Sequence, residues 1–135
     1  MDIDLIKYKA WNKKEKCLFQ VTEMNFESNG RLYSVSPDQG DTWYLVEEEV
    51  EILRYTGLDD KTGKPIYEGD ILEVYNQSES ELHFKGIVIW CDKYAKFVLK
   101  LNDYDEPGCV PYVDFWEICD CSYNIYIKGN KFKGD

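Results

Sequence analysis

Asp59-Asp60-Lys61-Thr62-Gly63-Lys64-Pro65-Ile66-Tyr67-Glu68-Gly69-Asp70-Ile71-Leu72-Glu73-Val74-Tyr75 is the stretch that decides the fold. Asp60 and Gly63 stand where a type I turn followed by a left-handed residue wants them. Aspartate accepts hydrogen bonds from amides two residues on, and glycine adopts positive φ without a Cβ penalty. Pro65-Ile66-Tyr67 then runs to a second turn at Glu68-Gly69-Asp70, and Ile71-Leu72-Glu73-Val74-Tyr75 reads as a strand. Two short strands between stiff turns point to a small barrel beginning near Pro65.

The same period-2 pattern continues on both sides. Upstream, Ile6-Lys7-Tyr8-Lys9-Ala10-Trp11 and Cys17-Leu18-Phe19-Gln20-Val21 form a first hairpin across Asn12 to Lys16. Ser28-Asn29-Gly30 supplies the turn of a second, between Met24-Asn25-Phe26 and Arg31 to Val35. Pro37 to Asp41 turns into Thr42-Trp43-Tyr44-Leu45, and Val46 to Leu53 allows one short helical turn. Downstream, Leu82 to Trp90 pairs with Lys96 to Leu101, and Gly86 inside the first of these suggests a bulge. Later strands are expected at Cys109 to Phe115 and Tyr123 to Ile127. The expected fold is mainly β with at most short helical turns. An irregular N-terminal hairpin lobe (residues 1–64) packs on a small SH3-like β-barrel (residues 65–127), the two sharing one core, and residues 128–135 form a flexible tail.

Composition bounds the function. The 135 residues hold 26 acids against 16 Lys and Arg, a net charge of −10 with His83 neutral. Affinity for a phosphate backbone comes largely from Lys and Arg releasing counterions, so nucleic-acid binding is unlikely. At 44% hydrophobic and 16% aromatic residues the chain is too apolar for a disordered acidic tail. The longest uncharged apolar run, Gly86 to Cys91, is far below the ~18 residues that span a bilayer. The acidic opening Met1-Asp2-Ile3-Asp4 lacks the basic and apolar regions of a signal peptide. Five scattered cysteines (Cys17, Cys91, Cys109, Cys119, Cys121) form no disulfide framework, and a reducing cytoplasm is expected.

The segment Tyr55 to Ile71 closely resembles the hallmark segment of the YopX family of phage and prophage proteins, with Tyr55, Gly57, Gly63, Tyr67, Glu68, Gly69 and Asp70 as the signature positions. Ile6-Lys7-Tyr8-Lys9-Ala10-Trp11-Asn12-Lys13-Lys14 is similar to the family's N-terminal pattern, and Gly86 to Trp90 followed by Lys96-Phe97-Val98 resembles its hairpin. Near the end only Asn124-Ile125-Tyr126 matches. The resemblance implies a phage- or prophage-encoded protein, cytoplasmic in a bacterial host and prone to self-association. It implies no established activity, so it carries no catalytic residue to this chain.

Few residues invite chemistry. Glu68 and Asp70 form a carboxylate pair, but Glu68-Gly69-Asp70 resembles the entry to an SH3-like barrel, where the acid caps loop amides. Cys119 and Cys121 share a face of an extended segment and supply at most half of a thiolate site. His83, the sole histidine, reads as a solvated strand position. No Gly-rich loop precedes a helix. The expectation is therefore no catalytic residue, no metal and no cofactor in a protein that is not an enzyme.

Surface readings remain. Tyr112, Phe115 and Trp116 lie in a segment, Asp103 to Asp120, with six acids and no Lys or Arg, a composition that suits a protein interface. Asp38 to Asp60 holds eight acids and one Arg, while Lys7 to Lys16 holds five Lys and one Glu. A basic hairpin of one copy meeting an acidic region of another would give a homo-oligomer. The leading expectation is a self-associating accessory protein acting through protein contacts. The alternatives are an acidic nucleic-acid mimic that inhibits a host protein, and nucleic-acid binding by the barrel through Lys85, Lys93, Lys96 and Lys100.

Overall fold

The computed structural model describes residues 8–101, 112–115, 118 and 123–132. Its strands are β1 (Tyr8–Asn12), β2 (Cys17–Gln20), β3 (Glu23–Phe26), β4 (Leu32–Ser36), β5 (Tyr44–Leu45), β6 (Val50–Asp59), β7 (Pro65–Tyr67), β8 (Asp70–Tyr75), β9 (Leu82–Cys91), β10 (Lys96–Leu101), β11 (Tyr112–Asp114) and β12 (Asn124–Asn130). The fold is mainly β, as the alternation predicts. Among the described residues, no helix is long and apolar enough to cross a membrane.

The chain divides into two compact units, Met1–Tyr55 and Thr56–Asp135. The expected boundary after residue 64 moves back to a point inside β6, because the signature hairpin closes on the second unit. Leu58 packs against that unit's core, and the Lys61 amide donates to the Ile125 carbonyl at 2.8 Å. Each unit has its own cluster of buried apolar residues.

In the first unit β1 pairs antiparallel with β2 and β6, and β4 lies between β3 and β5. Asn12 closes the first hairpin: its Oδ1 accepts the amides of Lys14 and Glu15 at 3.1 and 2.9 Å. Ala10, Val35 and Val50 are fully buried and gather Phe19, Met24, Leu32 and Ile52 around them. The helical turn expected over Val46 to Leu53 reduces to a tight turn at 47–49, after which β6 runs extended. Here Ala10 pairs with Ile52 and Asn12 with Val50, so alternation prevails over the helix propensity of the glutamates.

The second unit holds a five-stranded antiparallel sheet in the order β11-β10-β9-β8-β12, together with β7 and the end of β6, which pair with each other. Ile66, Leu72, Val74, Val88, Leu99, Phe115, Ile118 and Ile125 make its core. The bulge expected at Gly86 sits instead at His83, where Val74 pairs with Phe84 and Tyr75 with Leu82. Gly86 is required for another reason: a Cβ there would lie 2.2 Å from the Lys100 carbonyl oxygen. The last strand corrects the expected tail. Gly129 pairs with Ile71 and Asn130 with Asp70, and the Lys131 amide donates to Gly69 O at 2.8 Å. The turn before β8 thus supplies partners that hold residues 128–131 in place.

Candidate functional site

The signature segment is the strongest candidate for a site, and its geometry follows from single residues. Gly57 interrupts β6 at φ 90°, a left-handed conformation that side chains with a Cβ adopt poorly. Beside it the Thr56 hydroxyl donates to the Ile66 carbonyl at 2.8 Å, fastening β6 to β7. At the turn, Gly63 also takes φ 90°. Asp60 is 8% exposed and spends its carboxylate inside the unit. Its Oδ1 accepts the Thr62 amide at 2.8 Å, the Thr62 hydroxyl at 2.7 Å and the Lys64 amide at 3.0 Å. Its Oδ2 accepts the Ile127 amide of β12 at 3.2 Å. Burial pushes the Asp60 carboxyl up, but these bonds from Thr62, Lys64 and Ile127 outweigh it and hold the group below its ordinary value.

Asp60 and Lys61 together therefore dress the edge of β12 that faces away from β8, satisfying Ile127 N–H and Ile125 C=O. An open row of such groups is a template for pairing with foreign strands, and here the turn covers it. The second signature turn works the same way. The Tyr67 amide donates to Asp70 Oδ2 at 2.8 Å, and the Gly69 amide donates to Val88 O at 2.7 Å. Tyr67 and Asp70 are buried. A groove of about 240 Å³ lies along Leu58, Asp59, Asp60, Lys61, Tyr123 and Ile125, smaller than the roughly 300 Å³ at which small-molecule sites begin.

Other candidates disperse or are engaged. Lys85 pairs with Glu73 at 3.8 Å and Lys96 with Asp114 at 2.6 Å, so two of the four lysines of the expected basic patch face a carboxylate. Lys128 reaches Glu73 at 3.9 Å. The Tyr75 hydroxyl donates to Glu73 at 2.5 Å, and this bond, with burial and the charge of Glu73, raises the Tyr75 phenol. Tyr126 donates to Glu79 and is raised for the same reasons. His83 is exposed, its ring 5.3 Å from that of Tyr123. Among the described residues no group of three or more His, Cys, Asp or Glu could hold a metal ion. Cys109, Cys119 and Cys121 lie outside the described residues.

The three rings expected at an interface separate. Tyr112 is 45% exposed on β11, whereas Phe115 is 2% exposed and packs in the core of the second unit. Trp116 lies outside the described residues. Phe115 is thus corrected from surface to core, since an apolar ring following β11 gains more by covering Leu99 and Val88 than by facing water. Within the first unit Lys13 meets the 47–49 turn through main-chain carbonyl oxygens. Lys13 donates its amide to Glu49 O at 3.1 Å and its ammonium to Glu47 O. Three large apolar side chains stay exposed in this unit: Phe26 at 56%, Tyr33 at 47% and Trp43 at 41%. A bulge between Asn25 and Phe26, invisible in the residue pattern, helps leave Tyr33 outward.

A family model described as YopX protein matches residues 7–124. No curated protein matches the chain. Among solved structures, the chain is similar to protein EF1440 from Enterococcus faecalis at 22% identity and a TM-score of 0.59, with 93% of this chain and 92% of that one covered. It is also similar to protein yopX from Bacillus subtilis at 16% identity and a TM-score of 0.54, with the same 93% and 92% coverage. At these identities the likeness is one of fold.

Proposed function

The chain belongs to the YopX family, and from that premise we propose that it is a phage or prophage accessory protein of the bacterial cytoplasm that is not an enzyme, self-associates and acts through protein contacts. The observation that supports this reading is a division of labour between residues. Polar residues of the signature segment, Asp60 and Asp70 above all, are consumed by hydrogen bonds within the second unit. The large apolar side chains Phe26, Tyr33 and Trp43, on or beside the β3-β4-β5 sheet, are left to solvent. Association would remove the apolar area of these side chains from water, which is favourable.

Sedimentation velocity across a range of concentrations tests the reading. The native chain is expected to shift toward larger species as concentration rises, and a Phe26→Ser, Tyr33→Ser double variant that keeps its β circular dichroism is expected to shift less. Identical sedimentation of the two chains would remove these rings from the association surface.

A further inference from the structure

Asn29 and Gly30 form the exposed tip of the β3–β4 hairpin. Of the seven asparagines in the chain, only Asn29 is followed by glycine; the others precede Lys, Phe, Gln, Asp or Ile. The Asn29 Oδ1 accepts the Arg31 amide at 2.9 Å. The Gly30 amide donates to Glu27 O at 2.9 Å, and a Cβ built at Gly30 would meet nothing within 4 Å. We propose that Asn29 is the chain's site of spontaneous deamidation in the folded state.

The step uses water and hydroxide alone. Opening of the bond from Gly30 N–H to Glu27 O exposes that proton to hydroxide, which removes it, and the freed nitrogen pair forms a bond to Asn29 Cγ while the carbonyl π pair moves onto Oδ1. The Arg31 N–H already points at that oxygen and stabilises the negative charge that develops there, as a preorganised oxyanion donor does. Collapse of the tetrahedral intermediate breaks Cγ–Nδ2, and the nitrogen leaves as ammonia with a proton from water. Water then opens the succinimide at either carbonyl, giving aspartate or isoaspartate at position 29. A side chain at position 30 would crowd the ring closure, and glycine at a solvent-exposed tip leaves the approach open.

The two products differ in consequence. Aspartate keeps the oxygen that accepts from Arg31 and adds a negative charge near Glu27. Isoaspartate lengthens the backbone by one carbon inside the loop closed by the Glu27 amide and the Arg31 carbonyl at 2.8 Å, which loosens the hairpin tip.

The full chain is incubated in native buffer at several mildly alkaline pH values, then peptide-mapped by mass spectrometry and labelled with an isoaspartate methyltransferase. The expected result is a gain of one mass unit and isoaspartate label at Asn29 ahead of every other asparagine, with a rate that rises in proportion to hydroxide. An Asn29→Ser variant, which retains a side-chain acceptor, is expected to lose most of the ammonia release. The proposal is overturned if Asn29 stays intact in the folded chain, if it converts only in urea, or if another asparagine converts first.

Discussion

Replacing Asp60 with alanine strands three backbone donors, those of Thr62, Lys64 and Ile127, that now end on one carboxylate. Thr62 and Lys64 are exposed and Ile127 is half-buried, so water recovers part of what is lost, and the second unit should lose about 2 kcal/mol in denaturant unfolding, with Asp60→Asn about half that. The pH dependence has a definite sign. The folded-state carboxyl lies below its ordinary 3.8, so its stabilising contribution is complete above the unfolded value and is lost as pH falls through the folded one. The midpoint of urea unfolding should therefore drop between pH 5 and strongly acid solution, and Asp60→Asn should flatten that drop. Asp60 as a turn residue was legible in the sequence because Asp at that distance from Gly makes a local cap. Its bond to Ile127 was not, since that partner lies on the last strand.

Among the elements, β9 and β12 carry the sharpest expectations. A Gly86→Ala side chain would press on the Lys100 backbone at 2.2 Å, and ladder bonds on both sides, to Leu72 and Leu101, leave the strand no direction to yield. A loss of about 3 kcal/mol, the upper end for overpacking, is expected in thermal or urea unfolding. Truncation after Ile127 removes the pairing of Gly129 and Asn130 and the Lys131 bond to Gly69. Each net backbone bond is worth about 1 kcal/mol, so a loss of about 2 kcal/mol is expected where a loose tail would cost nothing. Strand positions were legible because apolar residues alternate. The end of β12 was not, because Lys128-Gly129-Asn130-Lys131 has no apolar pattern and is fixed by pairing with Asp70 and Ile71 and by the bond of Lys131 to Gly69. The glycine at 86 was visible as an anomaly, while its cause, the close approach of β10, depends on strand packing that no local pattern encodes.

At the scale of the whole molecule, the residues that mark the family build a fold, and the proposed function rests on surfaces. The buried fate of Phe115 and the exposure of Phe26 and Tyr33 show why surfaces were the least legible part. Hydrophobicity says that a ring prefers burial, but a bulge or a strand end decides which ring obtains it. The central claim is that the chain works as an assembly. Light scattering coupled to size exclusion, on the full chain at near-physiological salt, measures this directly. The account predicts a mass above that of the single chain that rises with concentration, and a single-chain mass at every concentration would contradict it.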